Sequence, residues 1–394
     1  MVDGSGIGAL VRDLDGQPPF RIDETLAERL HEQLGALRTR LLVADYSERL
    51  LTAVDGDHDG PHGAAAHLVE YPVDDSMPGV AFRGQRIVEV TDKSGDVRML
   101  LPVRVRSERI GVLDVVLPTV SAEDRAYLDE VAVVLGHVLS AARRYTDRFE
   151  VLRRRHDMDI AAEIQWELLP VLAYDCAEFA IAGSLEPAYR IGGDTFDYAV
   201  ADGSLTLSVT DAMGHGVRAA LMASLAVTTI RNARRRGDSL SDQVRFAARH
   251  VADQFGDPGY VAGIFIRIDV PTGTAGVVDA GHLAPLLLRD GEVTELALRP
   301  DTPLGMFAET DFVEQPMQLH PGDRLLLYTD GISDVAVDDI EPFGRTAVAR
   351  LLADHARQIP SEFVRLLTNA ALDHGHGELA DDATAVCLDW HGGK

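Results

Sequence analysis

Apolar residues change their period several times along this chain, and each change predicts an element. From Ile22 to Thr39 the leucines Leu26, Leu30, Leu34 and Leu37 recur at helical spacing, so the stretch predicts a helix. Leu41 to Asp45 and Leu50 to Val54 then predict a hairpin, and Ile87 to Val90, Met99 to Val105 and Arg109 to Leu117 predict further strands. Ser121, followed by Glu123 and Asp124, reads as a helix start with a capping acceptor and early acids. Beyond it Leu128, Val131, Leu135, Val138, Ala142, Tyr145, Phe149 and Leu152 alternate spacings of three and four, the heptad pattern of a helix seam. The next two seam positions, His156 and Asp159, are polar, and apolar spacing resumes at Ile160, Ile164 and Leu168. The seam predicts a parallel dimeric coiled coil that ends in a register break. A signal arriving at the amino-terminal part can then act by repositioning the segment Ala161 to Pro170; the alternative is a stiff spacer whose break marks a domain edge.

In the carboxy-terminal half, Leu205 to Val209, Arg324 to Tyr328 and Ala383 to Leu388 read as apolar strands, and Val217 to Arg235, Ser241 to Phe255 and Ser361 to Asp373 as helices. Beside these elements four glycine-punctuated or acidic turns each carry an aspartate: Asp194, Asp211, Asp330 and Asp381. Carboxylates at strand ends suit hard cations such as Mg²⁺ or Mn²⁺. Two such ions held roughly 3.5–4 Å apart polarise water and stabilise an in-line phosphoryl displacement, with no protein nucleophile required. Without cations the same carboxylates raise one another's pKa, so metal should stabilise the fold as well as activate it. Gly192, Gly193, Gly214, Gly216 and Gly331 allow positive φ or close backbone approach around these acids. Taken singly, each Asp-Gly is also an ordinary turn dipeptide.

Other residues near these turns carry two readings each. Asp197 is an acceptor reached through water or a solvated turn acid. His215 and His282 are general acids for a leaving serine oxygen or turn-stabilising groups. Arg190 is a phosphate contact or a surface arginine. The polar loop Gly56 to His67 holds His58, His62 and His67, which read as a mobile loop or, less simply, as a metal site.

At 394 residues the chain has room for about two domains. Its formal net charge of −26 argues against a nucleic-acid partner, because phosphate backbones require positive patches. Lysine occurs only at Lys93 and Lys394, so no Walker-type loop or lysine-based kinase site can be built. Cys176 and Cys387 fit no metal-ligand spacing, and a reduced cytoplasmic location is the simplest home. The amino terminus lacks a signal-like pattern and no apolar run approaches a membrane span, so no membrane role is expected.

The acidic turns, in their order, resemble the SpoIIE-like branch of the PPM (protein phosphatase 2C) serine/threonine phosphatases from about Ala161 to Trp390. Landmarks are Ala161 to Pro170, Ile191 to Asp194, Asp211 to Gly216, Asp279 to His282, Pro303 to Gly305, Leu319 to Gly331, and Asp381 to Thr384. The resemblance implies that Asp194, Asp211, Asp330 and Asp381 are the catalytic, metal-binding acids, with the Ala212 carbonyl as a further ligand and two Mn²⁺ or Mg²⁺ ions as cofactors. Departures are mild: Thr195 stands where an aromatic is usual, Ala212 at a variable position, and Asp334 where Glu is common. The amino-terminal third resembles a GAF domain through Ser76 to Gly84, Leu100 to Val103 and Ile110 to Leu113. Such domains bind small molecules or serve in dimerisation; no cysteine lies there for a bilin linkage.

The expected fold is α+β: a tail over 1–21, a GAF-like sensor domain over 22–140, a coiled-coil linker over 141–170, and an αββα sandwich phosphatase domain over 171–394. The function so implied is hydrolysis of phosphoserine or phosphothreonine on a regulatory protein, by resemblance a phosphorylated anti-sigma-factor antagonist. A homodimer through the linker and a small-molecule ligand at the GAF-like domain accompany it. The alternatives are a small-molecule metal phosphatase and a catalytically weak dimeric scaffold.

Overall fold

A computed structural model describes residues 5–55, 67–186, 192–307, 309–336, 342–377, 379 and 381–393. The chain divides into two compact units, Met1–His156 and Asp157–Lys394, so the expected linker falls partly in each. Among the described residues no helix is long and apolar enough to cross a membrane.

The first unit runs α1 (Ser5–Gly16), α2 (Ile22–Leu34), β1 (Arg38–Ala44), β2 (Leu50–Asp55), β3 (His67–Pro72), α3 (Met77–Gly84), β4 (Val88–Thr91), β5 (Val97–Val105), β6 (Glu108–Leu117), α4 (Ala122–Ala142) and α5 (Arg148–Arg153). Its strands form one antiparallel sheet in the order β3-β2-β1-β6-β5-β4. The segment expected as a tail contains α1, whose Leu10 and Leu14 are buried with α2 and α4 in the main core. α2 stops at Leu34, short of Thr39, because Gly35 turns left-handed at φ 67° and its N–H bonds back to the Leu30 and His31 carbonyls. Leu37 is therefore exposed and Thr39 lies in β1. At Ser121 the expected helix start is a full capping box, the hydroxyl accepting from Asp124 N and the Asp124 carboxylate accepting from Ser121 N.

The expected coiled coil is corrected by the same unit. α4 lays Leu128, Val131, Leu135 and Leu139 into the core of its own sheet. Gly136 sits so close to β5 that a Cβ there would lie 2.3 Å from the Arg104 carbonyl oxygen. The helix ends at Ala142, Tyr145 is 78% exposed, and α5 follows with Phe149 buried in the same core. Arg148 pairs with Asp23 at 2.6 Å, Arg143 with Glu150 at 3.2 Å, and Tyr46 donates to Glu150 at 2.5 Å, holding α5 against the unit. A stripe with three-four spacing serves equally for packing on a sheet, and here the sheet takes it. Most of the apolar stripe that motivated a dimer through the linker is thus covered inside the unit, Tyr145 excepted.

The second unit runs α6 (Ile160–Leu168), β7 (Ala173–Asp175), β8 (Phe179–Glu186), β9 (Asp194–Ala201), β10 (Ser204–Ala212), α7 (Val217–Arg235), α8 (Leu240–Phe255), β11 (Val261–Asp269), β12 (Thr274–Ala280), β13 (Leu286–Arg289), β14 (Glu292–Glu295), β15 (Gln315–Gln318), β16 (Arg324–Tyr328), α9 (Asp330–Ser333), α10 (Gly344–Asp354), α11 (Pro360–His374) and β17 (Ala383–Trp390). Two antiparallel sheets result, β15-β12-β11-β10-β9 and β14-β13-β16-β17-β8-β7. Alternation decides the layers. Leu205, Leu207, Val209, Ile264, Ile266 and Ile268 of the first sheet meet Phe179, Ile181, Leu325, Val386 and Leu388 of the second. On the other faces Phe265 and Val278 pack under α7 and α8, and Leu326, Tyr328 and Cys387 under α10 and α11. The arrangement is a mixed αββα sandwich.

α6 begins where the heptad pattern breaks, because the Asp159 side chain accepts from Ala162 N at 2.7 Å and caps the helix. Its buried face is Ala161, Ala162, Gln165 and Leu168; Ile160, expected on the apolar face, is exposed.

These packing assignments separate two substitutions that a continuous seam would treat alike. Leu135→Ala is expected to cost about 2–5 kcal/mol in denaturant unfolding of the first unit. Tyr145→Ala is expected to stay within about 0.5 kcal/mol; comparable losses at both positions would restore the continuous seam.

Candidate functional site

The fold brings the four sequence-predicted acids to one end of the two facing sheets. Asp194 opens β9 and Asp211 is the next-to-last residue of β10, and the two are direct cross-strand partners. Asp330 follows β16 as the first residue of α9, and Asp381 stands two residues before β17. β16 and β17 pair with Tyr328 opposite Ala385, so the chain leaving β16 and the chain entering β17 run together at this end, and the charge of Asp381 reaches Asp330.

Two glycines make the closure sterically feasible. A Cβ at Gly331 would lie 1.7 Å from the Asp382 carbonyl oxygen, and one at Gly193 would lie 2.1 Å from the Ala212 carbonyl oxygen. Only a residue without a side chain permits either approach. Gly192 lies against the same point, its missing Cβ 3.0 Å from Asp382 Oδ2 and 3.5 Å from Asp381 Oδ1.

Burial and mutual repulsion set the electrostatics. Asp194 is buried, and desolvation, then the charges of Asp211 and Asp382, hold its carboxyl well above the ordinary carboxylate range. Desolvation, then Asp330 and Asp381, push Asp211 up to about 6. Asp330 is raised by desolvation and by Asp334 and Asp381. Desolvation and the neighbouring acids push Asp382 up to about 7 despite two backbone N–H donors. Anions in this relation are unfavourable without positive charge between them. Among the described residues no three acids, histidines or cysteines close a metal cage by side chains alone.

Hydrogen bonds hold the frame. Thr329 Oγ1 donates to Asp194 Oδ2 at 2.5 Å and accepts from Thr384 N at 2.9 Å. Asp382 Oδ2 accepts from Gly192 N at 2.5 Å and from Asp194 N at 3.2 Å. Gln165 Nε2 of α6 donates to the Asp194 carbonyl oxygen at 2.7 Å. Sequence reasoning assigned no role to Thr329, Asp382 or Gln165. A signal existed for Gln165, since the helical period puts it on the face with Ala161 and Leu168, where a polar side chain needs a partner.

The remaining candidates resolve individually. Asp197 is no acceptor at the site: it is buried, and accepts from Arg231 at 2.8 Å and Arg234 at 3.0 Å. Arg231 also donates to the Leu168 carbonyl at 2.7 Å, tying α6, α7 and β9 together. His282 makes the turn-stabilising contacts, its N–H bonding Asp279 Oδ1 at 3.0 Å and its Nδ1 the Leu283 carbonyl at 3.0 Å. Burial pushes its imidazole down to about 4. His215 is exposed in the loop before α7. Arg190, His58 and His62 lie outside the described residues, and His67 opens β3.

Comparison with known proteins finds relatives of this chain. Residues 201–391 match the family described as Stage II sporulation protein E (SpoIIE). The chain is 24% identical over 264 residues to Protein IcfG of Synechocystis sp., covering 59% of this chain and 41% of that protein. It is 26% identical over 217 residues to phosphoserine phosphatase RsbP of Bacillus subtilis, covering 52% of this chain and 50% of that protein. The chain thus spans about half the length of these relatives or less. Among solved structures, the SiaA-PP2C domain of Pseudomonas aeruginosa shares the fold at 24% identity and a TM-score of 0.50, covering 58% of this chain and 94% of that domain. With its two-sheet sandwich and its acids at one end, the carboxy-terminal unit of this chain is similar to SpoIIE over residues 201–391 and shares its fold with a PP2C domain.

Proposed function

We propose that this chain is a metal-dependent protein phosphatase that hydrolyses phosphoserine or phosphothreonine on a regulatory protein. The observation that carries this reading is the cross-strand pairing of Asp194 with Asp211 beside Asp330 and Asp381, with Asp194, Asp211 and Asp330 raised above the ordinary carboxylate range. This all-oxygen donor set fits hard divalent cations. Asp194, Asp211, Asp330, Asp381 and the Ala212 carbonyl would hold two Mn²⁺ or Mg²⁺ ions. When bound, such ions supply the positive charge that stabilises an in-line phosphoryl displacement and acidify water for it.

The protein's own groups fit a reaction without a covalent enzyme intermediate. Cys387 is fully buried and desolvation drives its thiol upward, and Cys176 is raised by the same cause, so neither offers a thiolate. His282 is partly buried and held in a turn by Asp279 and the Leu283 carbonyl, whereas His215 is exposed in the loop that follows Asp211. α7 starts just beyond the Asp211 turn, and its amino end favours an arriving phosphate. Glycines at Gly214 (φ 88°) and Gly216 (φ 74°) permit that turn.

The similarity to RsbP, a phosphoserine phosphatase, supports a phosphoserine substrate. The family resemblance supports a phosphorylated anti-sigma-factor antagonist in partner switching. The first unit serves in this reading as a GAF-like sensor that controls the second, and its antiparallel sheet with flanking helices is consistent with that role.

Phosphate release from a phosphoserine protein is expected to require Mn²⁺ or Mg²⁺, to stop in chelator, and to fall by more than about 100-fold in Asp330→Asn, beyond the loss typical of groups that only support a ligand. Turnover that persists in chelator, or in Asp330→Asn, would discard the reading.

The raised carboxyls also set a pH dependence in metal-free protein. A raised folded pKa contributes stability that is complete below the ordinary carboxylate pKa and lost as pH rises through the folded value, about 6 for Asp211 and about 7 for Asp382. His282, lowered to about 4, has the opposite slope up to its ordinary 6.5. From about pH 6.5 to 8 the thermal midpoint in chelator is therefore expected to fall, and to fall less in Asp382→Asn. Saturating Mn²⁺ should flatten the slope; a midpoint that rises across this window in chelator contradicts the assignment.

A further inference from the structure

We propose that Thr329 is a positioning residue for metal binding, its hydroxyl locking the carboxylate of Asp194 from the opposite sheet. The inference rests on the reading of Asp194 as a metal ligand.

A hydroxyl has one proton to give. Thr384 N–H donates to one lone pair of Thr329 Oγ1 at 2.9 Å, and the hydroxyl donates its proton to the ionised Asp194 at Oδ2, 2.5 Å away. Thr329, Thr384 and Asp194 are all buried, so water does not compete for these bonds. The charges of Asp211 and Asp382 both work against an ionised Asp194, and donation from Thr329 works for it.

The bond also spans the sandwich. Asp194 belongs to β9 of one sheet, whereas Thr329 follows β16 of the other and immediately precedes Asp330. One residue therefore fixes the side chain of one candidate ligand and the backbone leading to a second. Asp382 reinforces the link by accepting from Asp194 N. Groups that orient metal ligands in this way typically change affinity 10–100-fold when removed, a range of about that size.

The test is Mn²⁺ binding to the full, chelator-stripped chain by calorimetry at one pH, with folding verified by circular dichroism. Thr329→Val keeps the shape and removes the hydroxyl; it is expected to weaken Mn²⁺ binding about 10–100-fold. Thr329→Ser keeps the hydroxyl and is expected to stay within about threefold of wild type. Added to Asp194→Asn, Thr329→Val should bring no further loss, since its effect runs through that carboxylate. Wild-type affinity in a folded Thr329→Val, beside weakened binding in Asp194→Asn, would overturn the positioning role and leave Thr329 as packing. Wild-type affinity in Asp194→Asn would overturn the metal assignment itself and this proposal with it. Should Thr329→Val not fold, Thr329→Cys, whose thiol is a weak donor, replaces it with the same two outcomes.

Discussion

Repulsion between carboxylates is the constraint on which the second unit depends. Asp194 and Asp211 face each other across β9 and β10, and Asp330 and Asp381 add their charges from the other sheet. Strand partners of like charge are unfavourable, and desolvation makes this pair worse. A fold that tolerates such a pair has to supply rigid support for it and a use for the negative potential. The sandwich supplies the support: Leu205, Leu207 and Val209 anchor β10 in the core between the sheets, while Leu325, Leu327, Val386 and Leu388 anchor β16 and β17.

The support is concentrated where the two sheets meet at the acidic end. Thr329 and Asp382 come from the second sheet, and both bond Asp194 of the first, one at its carboxylate and one at its N–H. Gln165 of α6 takes the Asp194 carbonyl. Around this, Arg231 joins Asp197 of β9 to the Leu168 carbonyl at the end of α6. The helix that leads into the unit is therefore wired to the strand that carries Asp194 at two places, its buried face and its last turn.

The first unit shows how one pattern can serve two architectures. The heptad-like spacing from Leu128 to Leu152 is real, yet Leu128, Val131 and Leu135 are buried on their own sheet and Phe149 returns to the same core through α5. No glycine or proline lies between Gly136 and Pro170, so nothing in the local chain forces the turn after Ala142. Tertiary contacts do so, through the ion pairs of Arg148 with Asp23 and of Arg143 with Glu150.

Much of this protein was legible in its sequence, because the relevant signals are local. α7, α8, α11, β16 and β17 follow from apolar periodicity, the start of α4 from Ser121 and its early acids, and the acidic turns from aspartates beside glycine. The partners of those elements were not legible. Asp197 read as an acceptor through water or a solvated turn acid and proved to be a buried anchor for two arginines; Ile160 read as apolar face and proved exposed, because the Asp159 cap and Gln165 set the rotation of α6. Thr329 and Asp194 are 135 residues apart, and Gly192 and Asp382 are 190 apart. Periodicity and turn chemistry report which face of a segment is apolar and where it ends. Which surface covers that face, and which distant donor meets a buried carboxylate, is decided only when the two sheets close on each other, because only then is water removed and a specific partner required.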